Sequence, residues 1–391
     1  MTVSLGATLR APLPPMQRPV AAIAGGLAIV AAMLAFALGG QRAGAGAVIG
    51  VFAGLALYHA AFGFTGGWRR MVAERRGRGL RLQVALIASV SLVSLPLLVF
   101  DEALGLRVGG FVFPFGIGAA VGATLFGIGM QLGGGCGSGT LFTVGGGSTR
   151  MVITLAAFVA GSLLGTAHLP AWNALPRLSA LSLPNTFGLP AAMAFTMAGL
   201  GAIALVSWVI ERRAHDHALP TPEPGGWLRG PWGPWMGVAA LTLVCLACFV
   251  FVGRPWGITS GFALWGAKIA SAIGVPVETW PYWRGQVGAI ERPPLADTTS
   301  AMNVGIILGA LLAAGLAGRF APKRSLTGWE IATAVSGGLL MGYGARLSYG
   351  CNIGAYLGGI TSGSLHGWLW FVFAFAGSTA TVLFRQRLAR A

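Results

Sequence analysis

The sequence predicts an all-α polytopic membrane protein: about ten transmembrane helices plus about four short re-entrant helices, in two halves related by an inverted repeat. Three observations predict it. Apolar residues make up 55% of the 391 residues and charged residues only 9%, where a water-soluble domain carries roughly a quarter charged. Glycine is 63 of 391, about twice the usual ~7%, without the period of a collagen, which marks close helix packing or broken helices at membrane depth. Four Gly-rich pieces between the long apolar runs are too short to cross. Mean hydropathy is +0.74, which excludes a soluble enzyme.

The apolar runs lie near 20–39, 45–62, 82–100, 110–132, 150–168, 189–210, 235–253, 298–318, 328–346 and 366–385, each near the ~17–25 residues a span needs. The first is long enough to be a span rather than a cleavable leader. With the N-terminus inside, 18 Lys and Arg fall on inside segments and 8 on outside segments, so both termini are predicted to be cytoplasmic. Topology thus accounts for the net charge of +16, and no nucleic-acid partner is expected. The domains read as 1–44, a tail and an additional helix; 45–168, a first repeat with re-entrant pieces near 62–76 and 135–145; 169–234, a linker with one span; and 235–391, the second repeat with re-entrant pieces near 257–272 and 350–361 and a basic tail.

The repeat rests on order. Each half reads span, short piece, span, span, short piece, span. The single crossing at 189–210 joins them, and an odd connector turns the second half upside down. The two clearest short pieces carry Cys136 within Gly135, Gly137, Ser138, Gly139 and Thr140, and Cys351 before Asn352, Ile353 and Gly354. The weaker pair centres on Thr65 and Ala263. Ser138 and Asn352 are expected to cap short helices. Each cysteine then sits just before a helix start, where free N–H groups and the positive dipole end favour an anion. Polarisable sulfur suits a ligand that is itself a soft sulfur anion, and a neutral thiol donates S–H where a thiolate would repel. Cys245 and Cys248 have C-x-x-C spacing but lie in an unbroken apolar helix, and read as packing. Gln131, five residues before Cys136, and Arg346, five before Cys351, are candidate lining residues, as is His59 before the first piece. No zinc-like cluster, nucleophile triad or phosphate loop is present, so no cofactor or metal is expected, nor enzymatic activity.

The run Gly-Cys-Gly-Ser-Gly-Thr-Leu-Phe at 135–142, with Gly-Ala-Arg-Leu-Ser-Tyr-Gly-Cys-Asn-Ile-Gly-Ala at 344–355 and Gly-Ile-Thr-Ser-Gly-Ser-Leu-His-Gly-Trp at 359–368, closely resembles the YeeE/YedE family of bacterial inner-membrane proteins that take up sulfur compounds, thiosulfate above all. The resemblance covers about 45–385. It implies an hourglass-like bundle with pseudo-twofold inverted symmetry, localisation in the inner membrane, relay thiols at Cys136 and Cys351, and a small cytoplasmic sulfur-carrier protein as partner. Some members carry a third cysteine on the first short piece; the alignment places Thr65 there, with Ala263 as its mate. The function expected is uptake of thiosulfate or a similar small sulfur anion. The alternatives are a membrane sulfurtransferase with a persulfide on Cys351, and transport of another small solute such as a selenium species or other oxyanion.

Overall fold

A computed structural model of the protein describes residues 14–217, 225–323 and 325–388. Three of the cations counted on the inside, Arg10, Arg324 and Arg390, lie outside the described residues, as do 1–13 and 389–391 of the predicted tails. In chain order the elements are α1 (Arg18–His59), α2 (Phe64–Glu74), α3 (Arg78–Val99), β1 (Phe115–Gly116), α4 (Ile117–Gly133), α5 (Gly137–Gly145), α6 (Thr149–Asn173), β2 (Arg177–Leu178), α7 (Leu183–Phe187), α8 (Leu189–Ala214), α9 (Pro234–Ala247), α10 (Thr259–Ala272), α11 (Val287–Glu291), α12 (Thr298–Ala317), α13 (Gly328–Leu347), α14 (Gly358–Thr361) and α15 (Leu365–Leu388). Wide i→i+5 turns extend α9 over Cys248–Val252 and precede α14 over Asn352–Leu357. Eight helical stretches among the described residues are long and apolar enough to cross a membrane. The chain is an all-α polytopic membrane protein.

The runs at 20–39 and 45–62 fold as the single element α1, and the boundary expected at 44 falls inside it. At 1.5 Å per residue a straight helix of its 42 residues would span about 60 Å, twice a bilayer core of ~30 Å. Gly40 interrupts it at φ 73, ψ −166, a conformation glycine adopts without strain. A β-carbon on Gly44 would meet Phe36 at 3.0 Å, and one on Gly39 would meet Ala43 at 2.6 Å. Residues eight apart cannot touch along a straight helix, so the two legs form a helical hairpin. The run at 110–132 departs in another way. Pro114 disfavours helix before it, so 110–114 is extended, Phe115 pairs with Leu178 across β1 and β2, and α4 begins only at Ile117.

Glycine makes the helix seams. On α1, β-carbons at Gly50 and Gly54 would collide with the backbone oxygens of Met302 and Ile306 on α12; on α12, Gly305 and Gly309 press equally on Ala47 and Val51. The α4–α13 seam repeats this with Gly122 against Gly344 and Gly129 against Gly337. With no hydrophobic drive between apolar helices in lipid, such close approach supplies the packing. Two of the seam helices have side-chain caps: at the start of α12 the Asp297 carboxylate accepts from Ser300 N at 2.7 Å, and at the start of α13 Thr327 and Glu330 form a capping box.

The packing pairs come in matching sets. α1 packs on α12 as α9 packs on α3; α4 on α15 as α13 on α6; α2 on α15 as α10 on α6; α5 on α12 as α14 on α3. α4 and α13 pack on each other, and α5 packs on the turn 352–357. Exchange of the two halves maps each pair onto its partner.

Candidate functional site

The site is built where the two long seam helices stop short. Gly134 ends α4 in the left-handed region (φ 90), and the chain turns through Gly135 into Cys136. Tyr349 takes the same backbone region (φ 63) after α13, at a cost of about 1–2 kcal/mol for a side chain there, and leads through Gly350 into Cys351. Each cysteine is itself the extended N-cap residue: Cys136 (φ −84, ψ −168) before α5 and Cys351 (φ −109, ψ −169) before the turn 352–357. Ser138 and Asn352 are therefore not the caps expected from the sequence. They stand one or two residues too late, and neither helix start has a side-chain cap. The first closing bonds are alike, Thr140 N to Cys136 O and Ala355 N to Cys351 O, both 2.8 Å. The N–H groups of the first turns, at Gly137, Ser138, Gly139 and at Asn352, Ile353, Gly354, precede those bonds and have no partner within the helix.

The two thiols are brought together. A β-carbon on Gly137 would stand 3.0 Å from Cys351 Sγ, so the second sulfur rests on the residue beside the first cysteine. Cys136 is 1% exposed and Cys351 0%; both are free thiols. Cys136 Sγ lies 3.5 Å from Ser138 Oγ. Asn352 is fully buried, and neither its Oδ1 nor its Nδ2 has a protein partner, an uncommon state for a buried amide. We expect Gly137→Ala to fold but to push the Cys351 sulfur off its seat, changing the rate at which Cys351 reacts with a small thiol reagent; an unchanged rate would show that this contact is incidental.

A cavity of about 560 Å³ reaches Cys136 from one face. Arg69, Arg70, Arg76 and Arg78 line its mouth; Gly63, Thr65, Gly135 and Gly139 line its depth. Arg150 Nη2 donates to Leu132 O at 2.8 Å and Arg385 Nη1 to Gln131 O at 2.9 Å. These cations sit on the carbonyl end of α4, where the dipole favours them, and add positive potential beside the Gly134 turn.

The other predicted residues distribute unevenly. Gln131 is buried and does not line the cavity; its Nε2 donates to the backbone oxygen of the lining residue Thr65 at 3.2 Å and to Ser378 Oγ at 2.8 Å. Thr65 is inside α2, whereas the helix-start place that Cys136 and Cys351 occupy falls to Gly63 there and to Ile258 before α10. Ala263 is buried against a separate cluster with Val277 and Trp283. Arg346 turns away from Cys351 and donates to Tyr282 Oη at 3.1 Å. His59 stands behind Trp232 (ring centroids 5.4 Å apart) and lines an apolar groove of about 420 Å³; Trp232 lines both groove and cavity. Cys245 and Cys248 are buried packing residues, with Cys248 Sγ 3.9 Å from Met302 Sδ. Ile258 went unnoticed in sequence because an apolar residue before a helix gives no signal. A β-carbon at Gly63 would meet nothing within 4 Å. Gly63→Cys should therefore fold and react with a water-soluble maleimide through the arginine-lined cavity; an inert thiol at 63 would contradict the mapped cavity.

Fold and site define a membrane protein with paired thiols at opposed helix starts and an arginine-lined approach, the chemistry of a carrier for a small soft anion. The sequence profile of the Sulphur transport family matches residues 59–380, and the chain belongs to that family, the YeeE/YedE group its motifs resemble. It is 33% identical over 152 residues to "Probable transporter YedE" of Salmonella typhimurium, covering 39% of this chain and 37% of that one. The chain thus spans little more than a third of that relative in the alignment. It is 29% identical over 296 residues to "Thiosulfate transporter TsuA" of Spirochaeta thermophila (69% of this chain, 78% of the other). It is 25% identical over 349 residues to the Escherichia coli protein of that name (85% and 91%).

Proposed function

We propose that the protein takes up thiosulfate, or a closely similar small sulfur anion, across the bacterial inner membrane. The observation that carries this reading is the meeting of Cys136 and Cys351, each at a helix start, with one sulfur seated on the residue beside the other. The matching packing pairs support an inverted repeat of two four-crossing halves joined by one span, which sets the two starts against each other at the waist of an hourglass. Thiosulfate offers a soft terminal sulfur to the S–H donors and hard oxygens to first-turn N–H groups and the orphaned Asn352 amide. Water is stripped at the waist, so these donors replace the hydration shell without needing a formal charge.

The distribution of Arg and Lys supports cytoplasmic termini, with the arginine-lined cavity opening inward. An anion leaving Cys136 is drawn into that cavity and passes to cytoplasmic consumers, a small sulfur-carrier protein among them. No bond in the anion need break, so the reading is transport rather than catalysis. The TsuA relatives, named as thiosulfate transporters, support the substrate.

Growth on thiosulfate of a host lacking its own sulfur-uptake systems tests this, with labelled uptake into proteoliposomes as the direct measure. The chain should restore growth, and unlabelled thiosulfate should compete better than selenite or nitrite. A Cys351 persulfide trapped by mass spectrometry in every turnover would replace transport with sulfur transfer.

A further inference from the structure

On the face opposite the arginine-lined cavity, the extended segment 106–114 crosses directly over the Cys351 turn. It is held by few polar contacts. Gly109 N donates to Gly253 O and Phe111 N to Ser362 Oγ, both at 2.9 Å, and Ser362 Oγ in turn donates to Gly358 O at 2.7 Å. The Phe111 ring fits among three residues that have no side chains. β-Carbons on Gly257, Gly354 and Gly358 would lie 3.6, 4.0 and 3.1 Å from its ring atoms. Two of these glycines follow Cys351 on its own short helix; the third precedes Ile258. Ile258 Cγ2 is 3.5 Å from the β-carbon position of Gly137, which is also the seat of Cys351 Sγ. Cys351 and Ile258 thus both border Gly137 beside Cys136, and the glycines that follow Cys351 and precede Ile258 border Phe111. Two residues along, Phe113 stacks on Tyr349 (centroids 5.0 Å, 8°), closing the flank. Both thiols are buried, but Cys136 lines the cavity and Cys351, three residues before Gly354 in the socket of the ring, does not.

We propose that Phe111 is the residue that governs access to Cys351 from this face. Its ring is a plug in a glycine socket, and an anion reaches the second thiol only when the 106–114 strap lifts. This rests on the transport reading above. The chemistry suits a plug: the ring makes no hydrogen bond, so lifting the strap frees only the Phe111 and Gly109 N–H groups and their acceptors on Ser362 and Gly253, which water can satisfy. The ring sits against three bare backbone positions: a β-carbon at Gly358 would press on it at 3.1 Å, and ones at Gly257 and Gly354 would touch it at van der Waals distance. The plug also selects. A passage opened by displacing one ring between backbone walls admits a compact anion and excludes a bulky one, which hydrogen bonds alone would not.

Two measurements on the full chain test it. A β-carbon on Gly110 would lie 3.1 Å from Ser362 Cβ, near the ~3.5–4.5 Å of a disulfide. Oxidised Gly110→Cys/Ser362→Cys should lose at least tenfold in thiosulfate uptake and regain it with dithiothreitol, while each single variant is insensitive to oxidation. Separately, in detergent, Phe111→Ala should raise labelling of Cys351 by a water-soluble maleimide at least tenfold, with Cys136 labelling unchanged, read by peptide mass spectrometry. Uptake that is equal in the oxidised and reduced double variant overturns the proposal, as does unchanged Cys351 labelling in folded Phe111→Ala. The labelling measurement needs no substrate, so it decides the gate even if thiosulfate is not the cargo.

Discussion

Cys351→Ala and Cys136→Ala are each expected to lower the initial rate of thiosulfate uptake into proteoliposomes by about 10- to 150-fold. The estimate follows from the contact each removes. A hydrogen bond to a charged partner contributes about 1.5–3 kcal/mol, and the waist offers no water to replace it. At about 1.4 kcal/mol per decade of rate, that loss gives the stated range. The double variant Cys245→Ala/Cys248→Ala should stay within about twofold, because both thiols are buried, Cys248 against Met302 of α12, and neither lines the arginine-lined cavity. Serine at 351 should fall between: it keeps a donor but replaces polarisable sulfur with a hard hydroxyl. If either alanine variant keeps more than half the rate while the protein remains folded, thiols are not what handles the anion.

Gly309→Val is expected to abolish stable folding. Its first added carbon would collide with the backbone oxygen of Val51, so relief requires α12 to move away from α1 along the whole seam. Ordinary overpacking costs about 1–3 kcal/mol, and a backbone wall that cannot rotate aside puts this case beyond that range. Gly201→Val on α8 is the matched control, since nothing lies within 4 Å of its added carbon. The yield of monodisperse protein in detergent and its thermal midpoint separate the two. Equal midpoints would mean that the α1–α12 seam is looser than its geometry.

Much of this architecture is written in the sequence, because lipid admits few backbone solutions. Long apolar runs and Gly-rich interruptions between them left helices and short re-entrant pieces as the consistent reading, and α2, α5, α10 and the 352–361 segment lie where those interruptions are. The glycine-flanked cysteines were legible for the same reason. What was hidden depended on direction or distance. Hydropathy reports that 39–46 is less apolar, but not that Gly40 reverses the chain. Capping preferences favour Ser138 and Asn352, yet the turn geometry after Gly134 and Tyr349 puts the sulfur-bearing residues at the cap positions. Spacing placed Arg346 near Cys351 along the chain, while helical phase sends it to Tyr282. Phe111 was invisible because its significance lies in glycines more than 140 residues away, and a missing side chain leaves no pattern to read.

Trp232 separates two environments. On one side its indole borders the arginine-lined cavity; on the other, with His59, it borders a groove flanked by Phe52 and Leu243, which are 62% and 69% exposed. Among the described residues Trp232 is therefore the one wall that the arginine-lined cavity and the groove share. Bilayer thickness and lateral pressure act directly on that partition, so rates for variants at 227–232 are comparable only when measured in lipid of one chain length.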